Sequence, residues 1–130
     1  QVRDAVAQSV AKVPNVRSIV NELAVMPNTP ITQRSNDTFI TGKMRASLVD
    51  AKDISASAFK VVTERGVVYL MGIVSQREAT RATAIARGIT GVRKVVRVFE
   101  YVSEDDLARM NAPGRAPVTD TNAEAVPATK

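Results

Sequence analysis

Cysteine and histidine are both absent from the 130 residues of this chain. Their absence excludes disulfide bonds, thiol chemistry, the usual zinc sites and any proton relay through an imidazole. No stretch approaches the ~18 consecutive apolar residues that a membrane-spanning helix needs. Most enzyme mechanisms are therefore excluded, and the sequence predicts no cofactor and no metal. No signal peptide is recognisable at the start, but an internal repeat suggests that Gln1 lies inside a domain, so this observation carries no weight.

The charge of the chain is positive and unevenly distributed. With 45% apolar and 24% charged residues the composition is that of a globular domain, and the net charge is +5. Residues 35–102 hold eleven basic and six acidic groups, whereas residues 103–130 hold three and five. Such a basic region favours polyanions, meaning nucleic acid or an anionic lipid surface, although modest basicity also serves solubility alone.

The chain matches itself across an offset of 76 residues. Residues 13–23 (VPNVRSIVNEL) lie over residues 89–99 (ITGVRKVVRVF), and the apolar helical stripe that precedes each segment matches as well. Two copies of one supersecondary unit are therefore predicted, and the first is truncated. Residues 1–26 are expected to be the closing helix and strand of the first copy, with the strand over 16–25 (VRSIVNELAV), and residues 27–34 a proline-containing linker.

The second copy is predicted to span residues 35–102. Four good N-cap residues, SNDT, predict a helix over 38–49 that buries Ile40, Met44 and Leu48. Alternating apolar residues on either side of Arg65-Gly66 predict a β-hairpin, in which the glycine supplies a positive φ at low energetic cost.

A second helix and a third strand complete this copy. Ser75 and Glu78 form a capping box at the start of the helix, and a strand follows over 92–102. A strand, a helix and a strand in succession imply a parallel pair. The predicted fold class is α+β, with the order αββαβ, a three-stranded mixed sheet and two helices on one face. Residues 103–130 are expected to be a short helix and a disordered tail.

Two stretches of the second copy resemble hallmarks of the BON-domain family (bacterial osmotically induced and nodulation proteins). They are G-V-V-x-L-x-G-x-V at residues 66–74 and G-V-x-x-V at residues 91–95. Two such domains in tandem are similar to dual-BON outer-membrane lipoproteins, and the resemblance covers residues 1 to about 102. It implies a periplasmic module that binds anionic phospholipid through its second domain and supports envelope integrity. It also implies an N-terminal lipid anchor in the inner leaflet of the outer membrane, on a cysteine that this chain lacks.

One face of the helix predicted over 38–49 is the candidate lipid-binding site. Phe39, Lys43 and Ala46 lie beside the buried stripe at helical spacing, and Thr38 and Arg45 are their neighbours. An aromatic ring beside cations suits an interfacial helix, because the ring enters the acyl region while Lys43 and Arg45 meet lipid phosphates. The resemblance implies that this helix faces the membrane and that Phe39 occupies the position of its aromatic residue. The alternative is that Phe39 packs under the linker or against the first copy.

A candidate secondary basic surface lies on or beside the second helix and consists of Arg77, Arg81, Arg93 and Lys94. These cations either extend a surface for anionic lipid or form a solvated helix face. The GITG sequence at 88–91 has the pattern of a nucleic-acid clamp, but it lies between a helix and a strand, so nucleic acid is not predicted as a partner. The acids Asp37, Asp50 and Asp53 are expected at caps and in a polar loop rather than at a metal.

Two functions from different classes remain open. The leading hypothesis is a non-enzymatic module that binds an anionic phospholipid surface. The alternative is a scaffolding domain that docks other envelope proteins through the sheet face that carries Val62, Val96 and Val98, which its own helices leave uncovered. The scaffolding hypothesis loses its basis if the first copy covers that sheet face.

Overall fold

The computed structural model describes residues 1–113. The tail predicted to be disordered lies outside the described residues from position 114 onward. The helices of the described part are α1 (Val2–Ala11), α2 (Ile31–Asp50), α3 (Gln76–Arg87) and α4 (Glu104–Asn111). The strands are β1 (Lys60–Glu64), β2 (Val67–Val74) and β3 (Lys94–Tyr101). From α2 to β3 the order is αββαβ, with a 3-10 turn before β1.

The three strands form one mixed sheet in the order β1-β2-β3. β1 and β2 are antiparallel and pair Glu64 with Val67 across the turn, whereas β3 is parallel to β2 and pairs Lys94 with Val67. Both turn residues have positive φ, 53° at Arg65 and 76° at Gly66, which suits a tight two-residue hairpin. The predicted hairpin, parallel pair and α+β class are confirmed.

The core lies between one face of the sheet and the helices α2 and α3. The predicted stripe of α2 is buried as a whole, and it packs against Val61, Val68 and Leu70 of the sheet. The small residues of α3, Ala82 and Ala86, let this helix approach the sheet closely and complete the same cluster. Phe59 and Phe99 extend the core with an edge-to-face contact at 5.8 Å between ring centroids.

The start of α3 has the capping box that the sequence predicts. The Ser75 hydroxyl accepts from the Glu78 amide at 3.2 Å, and the Glu78 carboxylate accepts from the Ser75 amide. Glu78 is buried, and its second oxygen accepts from the backbone amide of Ser55 at 3.2 Å. The capping residue therefore also ties the loop before β1 to α3. The GITG sequence at 88–91 lies between the end of α3 and the start of β3, as expected.

Helix α2 begins seven residues earlier than predicted, at Ile31 instead of position 38. The good cap residues Ser35 and Thr38 do not cap, because their hydroxyls donate to the carbonyls of Ile31 and Arg34 one turn earlier. Half of the predicted linker is thus helical. A residue of the cap type marks a helix start only where the backbone before it is not helical. In this chain the last residue with extended backbone geometry is Pro30, so α2 begins directly after it.

The strand predicted over 16–25 does not form: within residues 1–113 no strand precedes β1. A strand needs a neighbour for its amides and carbonyls, and this segment pairs with none of the three strands of the sheet. The helix predicted before it is present as α1, and Arg3 and Asn21 exchange hydrogen bonds that tie α1 to this segment. The assignment of residues 1–26 to a first domain stays a prediction.

Residues 17–29, here called the strap, run along the sheet face that α2 and α3 leave open. Arg17 binds Glu100 at 2.8 Å, Glu22 lies 3.9 Å from Lys94, and the Thr29 hydroxyl contacts the Glu64 carboxylate. The three sheet residues share one face, which the register aligns with Val62 and Val96. Val96 is only 8% exposed and Val98 is half-buried, whereas Val62 remains exposed. The strap therefore covers part of the face on which the docking alternative depended.

Candidate functional site

The exposed face of α2 carries an aromatic ring with a cation above it. Phe39 is 64% exposed, so it packs neither under the strap nor in the core. The Nζ atom of Lys43, one turn further along, lies 4.6 Å from the centroid of the Phe39 ring. At this distance the ammonium group is attracted to the π face. The ring and the charge thus occupy one site on the helix surface, and the alternative that Phe39 packs internally does not hold.

Phe39 belongs to a longer apolar stripe than the sequence predicted. Ile31, Phe39, Ala46 and Val49 follow one another at spacings of eight, seven and three residues, which places them along one side of α2. Ile31 is 81% exposed and Val49 is 63% exposed. Both were missed, because Ile31 was assigned to the linker and Val49 to the end of the helix. The extent of the stripe became visible only with the true start of α2.

Thr38 and Arg45 lie on the neighbouring strip of α2 instead. Together with Arg34, Thr41 and Gly42 they line a groove of about 450 Å³ between α2 and β1. In this groove the Thr41 hydroxyl donates to Thr63 of β1 at 2.8 Å, which joins the helix to the strand. The five predicted residues therefore form two adjacent strips, one with the ring and Lys43, the other with Thr38 and Arg45.

The electrostatics of this face favour an anion. Within residues 1–113, Arg34, Lys43 and Arg45 have no carboxylate within 4 Å. The single acid in the middle of α2 is Asp37, and it is buried and turned to the hairpin. Its carboxylate accepts from the amides of Arg65 and Gly66, each at 2.8 Å. The positive charges thus remain uncompensated beside the apolar stripe.

The hairpin contact of Asp37 is the structural role that the sequence analysis missed. Asp37 was interpreted as a cap residue, because it stands in a run of four such residues. It lies instead in the second turn of α2 and caps the amides of a turn 28 residues away. Sequence carries no signal for a contact at this separation.

The four residues of the secondary basic surface do not come together. Arg77 and Arg81 lie in the first half of α3, where Arg77 binds Glu104 at 3.1 Å and Arg81 binds Asp53 at 3.2 Å. Arg93 and Lys94 lie at the other end of the molecule, beside the hairpin turn, since the Arg93 amide donates to the Gly66 carbonyl. The predicted grouping does not form, because α3 runs antiparallel to β2 and β3 and its start therefore lies at the opposite end of the sheet from the start of β3.

The contact of Arg77 with α4 has an electrostatic consequence. The hydroxyl of Ser75 and the guanidinium of Arg77 hold the pKa of the Glu104 carboxyl below its usual value of 4.5. Both groups lie at the start of α3, so the carboxylate docks the start of α4 there. The ion pair of Arg77 with Glu104 joins α3 to α4, so the charge of Arg77 is largely neutralised and contributes little to binding an anionic lipid.

The geometry offers a helix surface for binding. Within the described part of the chain no group of three His, Cys, Asp or Glu residues is placed to hold a metal ion. No helix among residues 1–113 is both long and apolar enough to cross a membrane.

The comparison with known families decides the identity of the second copy. The model of the BON domain matches residues 36–103, from the second turn of α2 to the residue that caps α4. The chain belongs to the BON-domain family. The BON domain thus contains the site of Phe39 and Lys43 and the whole three-stranded sheet, whereas α1 and the strap lie outside the match.

Two curated relatives are similar to most of the chain. The outer membrane lipoprotein DolP of Haemophilus influenzae is 35% identical over 101 residues, which is 78% of this chain and 52% of that protein. A 21 kDa hemolysin of Actinobacillus pleuropneumoniae is 36% identical over 87 residues, 67% of this chain and 45% of that protein. This BON-domain chain thus spans about half the length of the curated relatives it matches.

Similarity to a solved structure is weaker. A chain from structural studies of CdsD, a structural protein of the type III secretion system of Chlamydia trachomatis, shares 18% identity and a TM-score of 0.43. The match covers 62% of this chain and 38% of that one.

Proposed function

We propose that this BON domain binds an anionic phospholipid surface through α2 and works without catalysis. The observation that carries the proposal is Phe39, 64% exposed on a folded helix with the Lys43 ammonium 4.6 Å from its ring centroid. A ring held outside the core, within a stripe of exposed apolar residues, lacks the internal partners that usually explain an aromatic side chain.

The arrangement fits the boundary between lipid headgroups and acyl chains. An interfacial helix buries its apolar side among the acyl chains and keeps its cations at the headgroups. Phe39, flanked by Ile31 and Val49 along α2, supplies the apolar side. Lys43 and Arg45 flank the stripe, and each cation near an anionic membrane contributes about 1 kcal/mol. Thr38 and Ala46 are small residues that let the helix lie flat on the surface.

The relatives support a place at the bacterial cell envelope. One of them is named an outer membrane lipoprotein, and it shares 35% identity with most of this chain. We therefore propose that the chain works in the periplasm, at the inner leaflet of the outer membrane, and contributes to envelope integrity. Other envelope proteins are proposed as further partners, although the strap already covers part of the open sheet face.

Cosedimentation with vesicles tests this proposal. The protein should sediment with vesicles of phosphatidylcholine and phosphatidylglycerol and remain in solution with phosphatidylcholine alone. Phe39→Glu should weaken binding at least tenfold, because burying a Phe side chain is worth about 1.5–3 kcal/mol and the new carboxylate repels the surface. Circular dichroism should show an intact fold, because an exposed residue shifts stability by less than about 0.5 kcal/mol.

A matched control is Met110→Glu, which makes the same change of charge at an exposed apolar residue of α4. This variant should bind as the parent does. Equal sedimentation with both vesicle types, or equal losses in the two variants, would refute α2 as the lipid-binding element.

A further inference from the structure

A second groove lies between the strap and the sheet face that α2 and α3 leave open, and Phe39 does not line it. Its volume is about 930 Å³, which lies within the range of ligand sites in proteins. Val67 and Tyr69 of β2 line it on one side, and Val20, Leu23 and Met26 of the strap line it on the other. The three strap residues are between 47% and 55% exposed, so the groove is apolar but incompletely filled.

The rim of this groove is cationic. Arg34, Arg65, Arg93 and Lys94 line it, against the two carboxylates of Glu22 and Glu64. Lys94 lies 3.9 Å from Glu22, and Arg65 lies 3.9 Å from Glu64 and donates to the carbonyl of Pro27. Among the described residues Arg34 and Arg93 have no carboxylate within 4 Å. Two positive charges therefore remain at the mouth of an apolar groove.

We infer that the groove binds a single-chain fatty acid, with the hydrocarbon chain between the strap and Tyr69 and the carboxylate at Arg93 and Arg34. Charge complementarity selects this occupant: a neutral hydrocarbon would leave the two guanidinium groups without a partner. An Arg guanidinium is well suited to a carboxylate because its donors match the two oxygens. The site shares Arg34 with the groove beside Thr38 and Arg45, but neither Phe39 nor Lys43 lines it, so Phe39→Glu and Arg93→Glu test the two proposals separately.

The two tyrosines make the site directly observable. Tyr69 lines the groove, whereas Tyr101 lies at the far end of β3, paired in register with Val74, and packs on the Phe99 ring at 6.1 Å between centroids. The chain has no tryptophan, so tyrosine fluorescence reports on these two positions alone. The variant Tyr101→Phe leaves Tyr69 as the single emitter, and Tyr69→Phe leaves Tyr101.

The experiment is a titration with monomeric 12-bromododecanoate, whose bromine quenches a ring that it contacts. The Tyr101→Phe protein should be quenched with saturation, and the Tyr69→Phe protein should not. 12-Bromododecanol, which lacks the charge, should bind at least about fivefold more weakly if the rim cations hold the carboxylate. Arg93→Glu should produce a loss of the same size. Arg97→Glu makes the same change of charge within β3, at a residue that does not line the groove, and should bind as the parent does.

A second variant tests the apolar part. Ala24→Phe should fill the groove from the strap and abolish quenching, while circular dichroism and the vesicle binding of the folded protein stay unchanged. Equal quenching of both single-tyrosine proteins, or binding that neither Arg93→Glu nor Ala24→Phe weakens, would overturn the site. Saturable chemical shifts at Tyr69 with an acidic peptide and none with dodecanoate would also overturn it. Because Phe39→Glu leaves this groove intact, failure here and failure of the α2 proposal are separate results.

Discussion

At the scale of single residues, the most consequential contact is that of Asp37. Its carboxylate lies in the interior and accepts from two successive turn amides, so a helix residue completes the hydrogen bonding of a hairpin. Buried amides that lose their acceptor are costly, and hydrogen bonds to a charged group contribute about 1.5–3 kcal/mol each. The stability of the hairpin turn therefore depends on the packing of α2 against it.

Asp37→Ala should lower the free energy of unfolding by about 2–3 kcal/mol, because it leaves the amides of Arg65 and Gly66 without an acceptor. Urea denaturation followed by circular dichroism measures the loss. Asp50→Ala, which removes an exposed acid from the end of the same helix, should change stability by less than about 0.5 kcal/mol. Similar values for the two variants would show that the hairpin contact contributes nothing.

The pKa of the Glu104 carboxyl should report the contact between α4 and the start of α3. Since Ser75 and Arg77 lower its pKa in the folded state, the ionised form stabilises the fold above the usual pKa of 4.5. This contribution is lost as the pH falls through the lowered pKa. Carbon-13 NMR titration should find the Glu104 pKa below 4.5 in the parent, and Arg77→Gln should raise it. An ordinary value in both proteins would contradict the contact.

At the scale of elements, the two sides of α2 have different roles, one in the core and one at the surface. Its buried stripe holds the core against the sheet, and the opposite side presents Phe39 and its flanking cations. A helix of this kind can lose its outer residues without unfolding, because Phe39, Lys43 and Arg45 are not part of the hydrophobic core. Binding and stability should therefore respond to different substitutions.

Replacing Lys43 and Arg45 together by Ala should weaken binding to anionic vesicles by about tenfold or more, since two cations contribute about 2 kcal/mol. It should also flatten the dependence on salt, because exposed charges are screened over ~8 Å at physiological ionic strength. Lys52→Ala with Lys60→Ala, an equal loss of charge outside α2, is the matched control. High salt should reproduce the charge variant and leave the contribution of Phe39. Equal effects of the two double variants would indicate that net charge alone determines binding.

At the scale of the whole molecule, the core belongs to the second copy and to α4, which follows it. Every residue that the structure buries lies between Asp37 and Leu107. The strap adds exposed ion pairs to this domain, and pairs of this kind contribute about 0–1 kcal/mol each. The strap therefore contributes little to the stability of a domain whose core forms without it.

A fragment of residues 30–113 should consequently fold cooperatively and lose no more than about 2 kcal/mol relative to the full chain. Leu107→Ala in the full chain should be as damaging or more so, because it empties a buried site of α4. Urea denaturation of both proteins gives the comparison. A fragment without a cooperative transition would show that the first copy is part of the core.

Much of this protein was determined by its sequence alone. The αββαβ order, the hairpin at Arg65-Gly66 and the capping box of Ser75 with Glu78 were all predicted, because each depends on neighbours within a few residues. The buried stripe of α2 was predicted for the same reason, since a helix repeats its faces at a fixed spacing. The motifs of the BON-domain family lie in these local elements.

Other features were decided only by the tertiary structure. The strand expected over 16–25 found no partner, and a strand is defined by the neighbour that binds its backbone. Separation of Arg77 and Arg81 from Arg93 and Lys94 followed from the direction of α3 against the sheet. The groove beside Tyr69 required the strap to cross a sheet face that is distant in sequence, where Thr29 contacts Glu64 across a separation of 35 residues. Local patterns specify elements, whereas contacts distant in sequence depend on how those elements pack.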